Sequence, residues 1–351
     1  MASLGDKTLN PDAVVSWLAS NFKRNGWSGV LAGVAEDDCG VIKFGGAFAV
    51  LSVDFLNATP IAEQLGLGGE RVLGRLAVAA TLADLVGTGA VSRALLVAVT
   101  VPHGYPERLF KQIMVGVKVE SKRWGVPVIA GDTKLGNGRA VLTCGIGSVD
   151  SPRELFLANR ARPGDLIFAS GYLGTCAAAT CIASRAKTVP RWARLAITVP
   201  NLPILRSRAL AALRVAHAGM DVSDGLAADL RRMCKASGVG AILETDRIPV
   251  DPHVLDVAKQ ERVSPWAFSL ASGGDFQFIV TVPRAACTAT ERLGFTRIGV
   301  VTKKRSFWLS DRAGAAHHRL PELGHEDRKA QRFVDEIRGI VQQVTREQKK
   351  S

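Results

Sequence analysis

The spacing of apolar positions divides the chain into helical and extended stretches. Val14, Val15, Trp17, Leu18 and Phe22 fall on one side of a helical wheel and predict a short amphipathic helix over 10–25. Residues 41–44 and 47–55 read as strands, and the Gly45-Gly46 pair between them predicts a hairpin turn. Residues 72–86 are mainly Ala, Leu and Val and are stopped by Gly87 and Gly89, which predicts a helix. A β-branched strand over 94–101 follows, then a helix over 106–124 closed by Gly125. Strands over 126–130 and 140–147 are expected on either side of Gly131-Asp132-Thr133 and the turn Gly136-Asn137-Gly138.

Residues 150–163 hold two prolines and several charges without a clear period, and read as a linker. Beyond it, strands are predicted over 166–169, 241–244, 276–282, 297–302 and 306–309. An Ala/Cys-rich helix follows Gly171-Tyr172-Leu173-Gly174, another runs through Lys235, and a third lies near 254–260. Strands and helices mix without strict βαβ alternation, so the expected class is α+β rather than a doubly wound sheet. The expected units are 1–150, 151–311 and a charged helical tail over 312–351, whose His317-His318 pair reads as solvent-exposed loop.

Composition narrows the function. With 351 residues, 47% hydrophobic and 22% charged, the chain has room for two domains and is not broadly disordered. No apolar run is long enough to span a bilayer, and the first residues, with Asp6 and Asp12, lack an apolar signal core. A cytoplasmic protein with no membrane partner is the expectation. The six cysteines form no CxxC pair, which fits reduced, buried thiols. The net charge of +13 raises nucleic acid as a partner, but no recognition helix, zinc-finger spacing or aromatic–basic alternation accompanies it, so nucleic acid is not expected. Between Asp165 and Asp221 there is no acid, while Arg185, Lys187, Arg191, Arg194, Arg206, Arg208 and Arg214 fall there. That stretch suits an anionic ligand, and solvated helix charge explains it as cheaply.

The chemistry-bearing residues are aspartates in places where an acid is costly. Asp37 and Asp38 precede a strand, Asp54 interrupts one, and Asp132 follows Gly131 at the end of another. Asp84 lies in an almost wholly apolar helix, where an unpaired buried carboxylate costs several kcal/mol or so and calls for a metal or another cation. Asp221 and Asp224 bracket Val222-Ser223 directly ahead of a helix. Asp221 or Ser223 as an N-cap explains that pattern structurally. A Mg²⁺ ion standing between the acids and a phosphate explains it functionally, because Mg²⁺ takes few carboxylates and completes its shell with water and phosphate oxygens. No GxxxxGK[ST] occurs, which removes the P-loop class.

Asp37-Asp38-Cys39, Asp54, the helix end Leu82-Ala83-Asp84-Leu85-Val86-Gly87-Thr88-Gly89-Ala90, Gly131-Asp132-Thr133, Gly164-Asp165, Gly171-Tyr172-Leu173-Gly174, Met220-Asp221-Val222-Ser223-Asp224-Gly225-Leu226 and Gly273-Gly274-Asp275 occur in that order. In this the chain resembles the AIR synthase and thiamine-monophosphate kinase superfamily, from about residue 30 to residue 300. The resemblance implies a homodimer whose N-terminal domains build a β-barrel, and a C-terminal α+β domain that covers a small-molecule substrate. It implies ATP with Mg²⁺ held by Asp37, Asp38, Asp54, Asp84, Asp132, Asp221 and Asp224. Asp38, Gly131, Asp132, Thr133, Gly171, Gly174 and Ser223 would lie around the nucleotide, and Asp224 and Asp132 would be catalytic.

Within the superfamily, nothing before Cys39 resembles the reactive Cys–Lys segment of selenophosphate synthetases, and the chain lacks the terminal cysteine of the carbamoyl-dehydrating maturation factor. The Asp-Val-Ser-Asp-Gly-Leu segment is similar to the kinase rather than to AIR synthase. Two segments differ from the kinase: Phe55-Leu56-Asn57-Ala58-Thr59-Pro60 lacks its acid–Gly–x–His–Phe pattern, and Gly273-Gly274-Asp275-Phe276-Gln277-Phe278 has one acid fewer and Gln for Glu. The resemblance thus implies thiamine-phosphate kinase activity, or ATP-driven activation of an oxygen on another small substrate, or a nucleotide-binding subunit without turnover. Trp266 and Phe268 are candidates to stack on a heteroaromatic substrate, or to fill the core.

Overall fold

The computed structural model describes residues 11–22, 28–57, 61–271, 273–311 and 317–320. The first half contains α1 (Pro11–Asn21), β1 (Val30–Ala32), β2 (Gly40–Phe44), β3 (Ala47–Leu56), α2 (Ile61–Gln64), α3 (Glu70–Gly87), β4 (Val91–Pro102), α4 (Glu107–Trp124), β5 (Val128–Gly136) and β6 (Ala140–Val149). The second contains β7 (Leu166–Ala169), α5 (Thr175–Ala183), α6 (Arg191–Thr198), α7 (Ile204–Leu213), β8 (Ala218–Asp221), α8 (Leu226–Ser237), β9 (Gly240–Glu244), α9 (Pro252–Glu261), α10 (Trp266–Ala271), β10 (Phe278–Val282), α11 (Cys287–Arg292), β11 (Thr296–Thr302), β12 (Phe307–Ser310) and β13 (His317–Arg319).

The strands form two sheets, one in each half. The first has the order β1-β2-β3-β6-β4-β5, antiparallel except for the β4–β5 pair, which α4 connects. The second has the order β13-β12-β9-β11-β7-β10-β8, antiparallel except for β9 with β12. This is a two-domain α+β architecture, as the sequence pattern predicts.

In the first sheet, alternate residues of β3, β4 and β6 face α3 and α4 and are buried: Val50, Leu95, Val97, Val99 and Val141. The helices meet closely. A side chain at Gly74 would come within 2.1 Å of the Ile113 carbonyl oxygen, and one at Gly116 within 2.0 Å of that of Arg71. Among the described residues no helix packs on the opposite face of the sheet, which is apolar, with Leu51, Val53 and Phe55 of β3 exposed at 39%, 60% and 63%.

The two halves are stitched at the C-terminal end of α3. Gly87 lies against β8 so tightly that a Cβ would fall 2.8 Å from the Asp221 amide nitrogen. Phe156, fully buried, links the Thr88 carbonyl to the Gly219 amide, and Ser207 Oγ donates to the Val86 carbonyl.

Several sequence expectations need correction. Gly131-Asp132-Thr133 does not follow the end of a strand but lies in the middle of β5. The turn residues lie further on, at Gly136-Asn137-Gly138, so the ladder continues through the motif. His317-His318 pairs with β12 as an edge strand rather than lying in loop. The acid-free basic stretch folds into α6 and α7, which periodicity alone did not resolve. Phe268 is fully buried and Trp266 packs on two core clusters, so both serve the core rather than a ligand. Except for 317–320, the tail expected as a helix lies outside the described residues, as does the chain before residue 11. Among the described residues no helix is long and apolar enough to cross a membrane.

Candidate active site

Four of the predicted aspartates converge where the two halves meet. Asp38, Asp54, Asp84 and Asp221 line a cleft of 340 Å³ together with Ala80, Ala83, Ser223, Gly274 and Phe276. Each arrives by a different route. Asp54 follows Val50 and Ser52 on the helix-facing side of β3, and Ser52 Oγ donates to Asp84 on α3. Asp221 ends β8, brought up by the Gly87 contact. Asp38 comes from the loop ahead of β2.

The electrostatics of this cleft are unfavourable without a cation. Burial raises the Asp84 carboxyl well above its usual range, and repulsion from Asp221, Asp54 and Asp38 adds to it. Burial does the same to Asp221, with Asp38, Asp229 and Asp54 repelling it and Arg232 opposing the rise. Asp38 and Asp54 are also raised, chiefly by burial. Asp54 Oδ2 is buried without a hydrogen-bond partner. Among the described residues no three His, Cys, Asp or Glu side chains form a preformed metal cage. The donor set nevertheless suits Mg²⁺, which binds through one or two carboxylates and takes its other ligands from water and phosphate.

The other predicted residues are distributed differently. Asp37 turns away from the cleft: its carboxylate accepts the Cys39 amide at 3.1 Å and the Ala158 amide at 2.7 Å, pinning the linker to the first domain. Burial lifts it to about 7. Asp132 pairs with Lys134 at 3.4 Å and its side chain is 59% exposed. The register Asp54–Thr143–Val97–Gly131 sets it three strands from Asp54, about 14 Å, on the opposite face of the sheet. Within one chain, Gly131, Asp132 and Thr133 therefore do not join the cleft.

Neither Asp221 nor Ser223 caps α8, whose N-cap is Gly225 with φ 104°. Instead Asp229, fully buried within α8, accepts the Asp224 amide at 2.8 Å and fixes the Asp221–Asp224 turn. Gly174 is left-handed, at φ 85°, and a side chain there would strike the backbone of Phe268 and Ser269. Its role is packing. Gly171 lies against the Gln277 side chain and lines a second cavity.

That cavity, of 960 Å³, is separated from the acid cleft by Gly274 and Phe276, which line both. Arg206, Arg208, Asn201, Tyr172 and Trp124 contribute to its wall. The dividing loop is held from both sides. Asp275, raised to about 7 by burial, accepts the Gly174 and Cys176 amides at 2.6 and 2.7 Å at the start of α5. Gln277 donates to the Asn201 carbonyl and accepts from Ser170 Oγ, both at 2.9 Å. Phe276 has φ 55°, a left-handed conformation that costs a bulky residue about 1–3 kcal/mol. The strain lies where the cavities meet.

Sequence reasoning missed Asp229, Arg232 and the capping role of Asp275. Asp229 carried the same signal as Asp84, an acid on an otherwise apolar helix face of Leu226, Ala227, Leu230 and Met233. Arg232 gave none, because an Arg in a helix is ordinarily solvated.

An α+β fold of two domains with carboxylates gathered at their junction defines an acid-lined interdomain cleft. The chain belongs to the AIR synthase-related family: residues 36–149 match the model of the AIR synthase related protein N-terminal domain and residues 162–310 that of the C-terminal domain. Thiamine-monophosphate kinase of Pyrococcus horikoshii is 26% identical over 304 residues, spanning 85% of this chain and 92% of the relative. Carbamoyl dehydratase HypE of Rhodobacter capsulatus is 30% identical over 256 residues, 70% of each. The structure of AaThiL complexed with AMPPCP and TMP superposes with a TM-score of 0.72 at 18% identity, covering 86% of this chain and 93% of that one.

Proposed function

We propose that the protein is an ATP- and Mg²⁺-dependent phosphotransferase acting on a small phosphorylated substrate, of the thiamine-monophosphate kinase type. The observation that carries this reading is the convergence of Asp38, Asp54, Asp84 and Asp221 on one cleft beside a larger cavity edged by Arg206 and Arg208. Mg²⁺ bound there supplies charge neutralisation for the transferred phosphoryl group. The chain's part is to orient the carboxylates through Ser52, Asp229 and the Gly87–β8 contact, and to hold acceptor and donor on either side of Phe276. An acceptor that is already a phosphate is a nucleophile near neutral pH, so positioning is the main requirement. Asp224, next to the cleft, is the further candidate for contact with metal or phosphate.

We also propose that the protein works as a homodimer through the open face of the first sheet. Leu51, Val53 and Phe55 are exposed there, on a surface too apolar for a lone monomer. This arrangement offers Gly131, Asp132 and Thr133 a route to a cleft: they would reach the one in the partner subunit.

Purified protein incubated with ATP, Mg²⁺ and thiamine monophosphate tests the reading. Thiamine diphosphate formed in step with ADP supports it. ATP consumption only with a different acceptor moves the assignment to ATP-driven activation of another substrate, which the replaced residues at 55–60 and 273–278 favour. ATP binding without turnover on any acceptor leaves a nucleotide-binding subunit.

A further inference from the structure

Among the described residues Arg232 stands as a cation inside the acid cluster. Arg232, on α8, ion-pairs with Asp224, lies 3.4 Å from Asp229 and 3.9 Å from Asp38. Its guanidinium thus joins a loop of the first domain to the turn that opens α8 in the second. The three acids are not equivalent. Asp229 is fully buried and fixed by the Asp224 amide, whereas the side chains of Asp38, which lines the cleft, and Asp224 beside it are 29% and 13% exposed. Asp221, 7% exposed and aimed into the same cleft, is surrounded by carboxylates, with Arg232 the cation that offsets them. The Arg232 side chain is itself 45% exposed, so it can swing outward without opening a hole.

We propose that Arg232 is a surrogate cation: it holds Asp38 and Asp224 in the metal-free protein and gives them up when a divalent cation enters, remaining tethered to Asp229. This rests on the metal reading given above. A planar guanidinium bonds carboxylates through fixed N–H donors and spreads one charge over three nitrogens. Mg²⁺ concentrates two charges at about 2.1 Å from each oxygen. Both draw on the same carboxylate charge and lone pairs, so each Arg232 contact to Asp38 or Asp224 competes with metal binding. The cost is offset by an apo cleft that stays closed and ordered instead of springing apart under repulsion.

Mn²⁺ alone, titrated without nucleotide and followed by electron paramagnetic resonance, tests this on wild type and on Arg232→Ala, Arg232→Lys and Lys235→Ala. Lys235 lies one turn further along α8, is exposed, and controls for the loss of one positive charge nearby. Arg232→Ala is expected to bind Mn²⁺ about tenfold more tightly, with Lys235→Ala within about twofold of wild type. Arg232→Lys keeps the charge without the planar fork. It is expected about threefold tighter than wild type, and carries the test if the alanine variant does not fold. Wild-type Mn²⁺ binding with no gain in the folded Arg232 variants, or an equal gain in Lys235→Ala, overturns the surrogate role alone. Absence of Mn²⁺ binding in every protein overturns the metal reading and this inference with it.

Discussion

Replacing Asp84 by Asn separates what the acid cluster costs from what it does. Asp84 is raised well above the usual carboxylate range by burial and by Asp221, Asp54 and Asp38. A carboxyl whose folded pKa exceeds its unfolded value of about 3.9 contributes no penalty below that value and progressively destabilises the fold as pH rises toward the folded pKa. The wild type without metal is therefore expected to lose stability as pH rises above about 4, and the variant to lose less. Two unit charges about 5–6 Å apart at an effective dielectric near 20 repel by about 3 kcal/mol, and partial protonation lowers that. A gain of about 1–3 kcal/mol at pH 8 follows, worth about 1–4 °C in Tm for a chain of this size. Asn retains an oxygen for the Ser52 hydroxyl, so the local hydrogen bond survives.

Mg²⁺ reverses the ranking. At about 100 times its Kd a ligand stabilises by about 2.7 kcal/mol, a gain the wild type shows and the variant does not. The assay is thermal unfolding by circular dichroism at pH 5 and pH 8, in EDTA and in Mg²⁺. A variant less stable than wild type at pH 8 in EDTA refutes the electrostatic reasoning, and an undiminished Mg²⁺ shift in the variant refutes the metal assignment of Asp84.

Three other outcomes follow from the geometry. Asp275→Ala leaves the buried Gly174 and Cys176 amides without their acceptor and is expected to lower unfolding stability by about 2–4 kcal/mol in urea titration; a loss under 0.5 kcal/mol counts against the cap. Gly273→Ala would place a methyl group 2.0 Å from the Ser223 carbonyl oxygen, so the Asp221–Asp224 turn must shift, and a loss of ATP affinity of at least about tenfold is expected with the fold retained by circular dichroism. Phe55→Glu on the open sheet face is expected to convert a dimer to a monomer in sedimentation velocity, and an unchanged sedimentation coefficient contradicts the proposed interface.

How much was readable in advance follows from the physics of each element. The helix at 70–87 was legible because Gly87 and Gly89 stop an otherwise unbroken Ala, Leu and Val pattern, and β7 because a short apolar run is bounded by turn residues. Asp84 stood out because an apolar helix offers a carboxylate no solvent. Asp132 reads as the end of a strand because Gly131 interrupts the apolar run, whereas the parallel pairing with β4 carries the strand straight through it. Asp37 and Asp38 are adjacent and chemically alike, and it is the Ala158 amide, 121 positions along the chain, that makes Asp37 a clamp while Asp38 lines the cleft. Helices α6 and α7 were missed because prolines 190, 200 and 203 break the surrounding sequence into pieces too short for a period to emerge.

The central claim is that the acid cleft binds ATP through a divalent cation. Isothermal titration of ATP into the wild type with Mg²⁺, with EDTA, and into an Asp84→Asn/Asp221→Asn double variant with Mg²⁺ tests it most directly. The account predicts micromolar-range binding in the first case alone, with EDTA and the double variant each weakening it by about a hundredfold or more. Equal ATP affinity in all three would show that the nucleotide does not use these carboxylates, and would contradict the account.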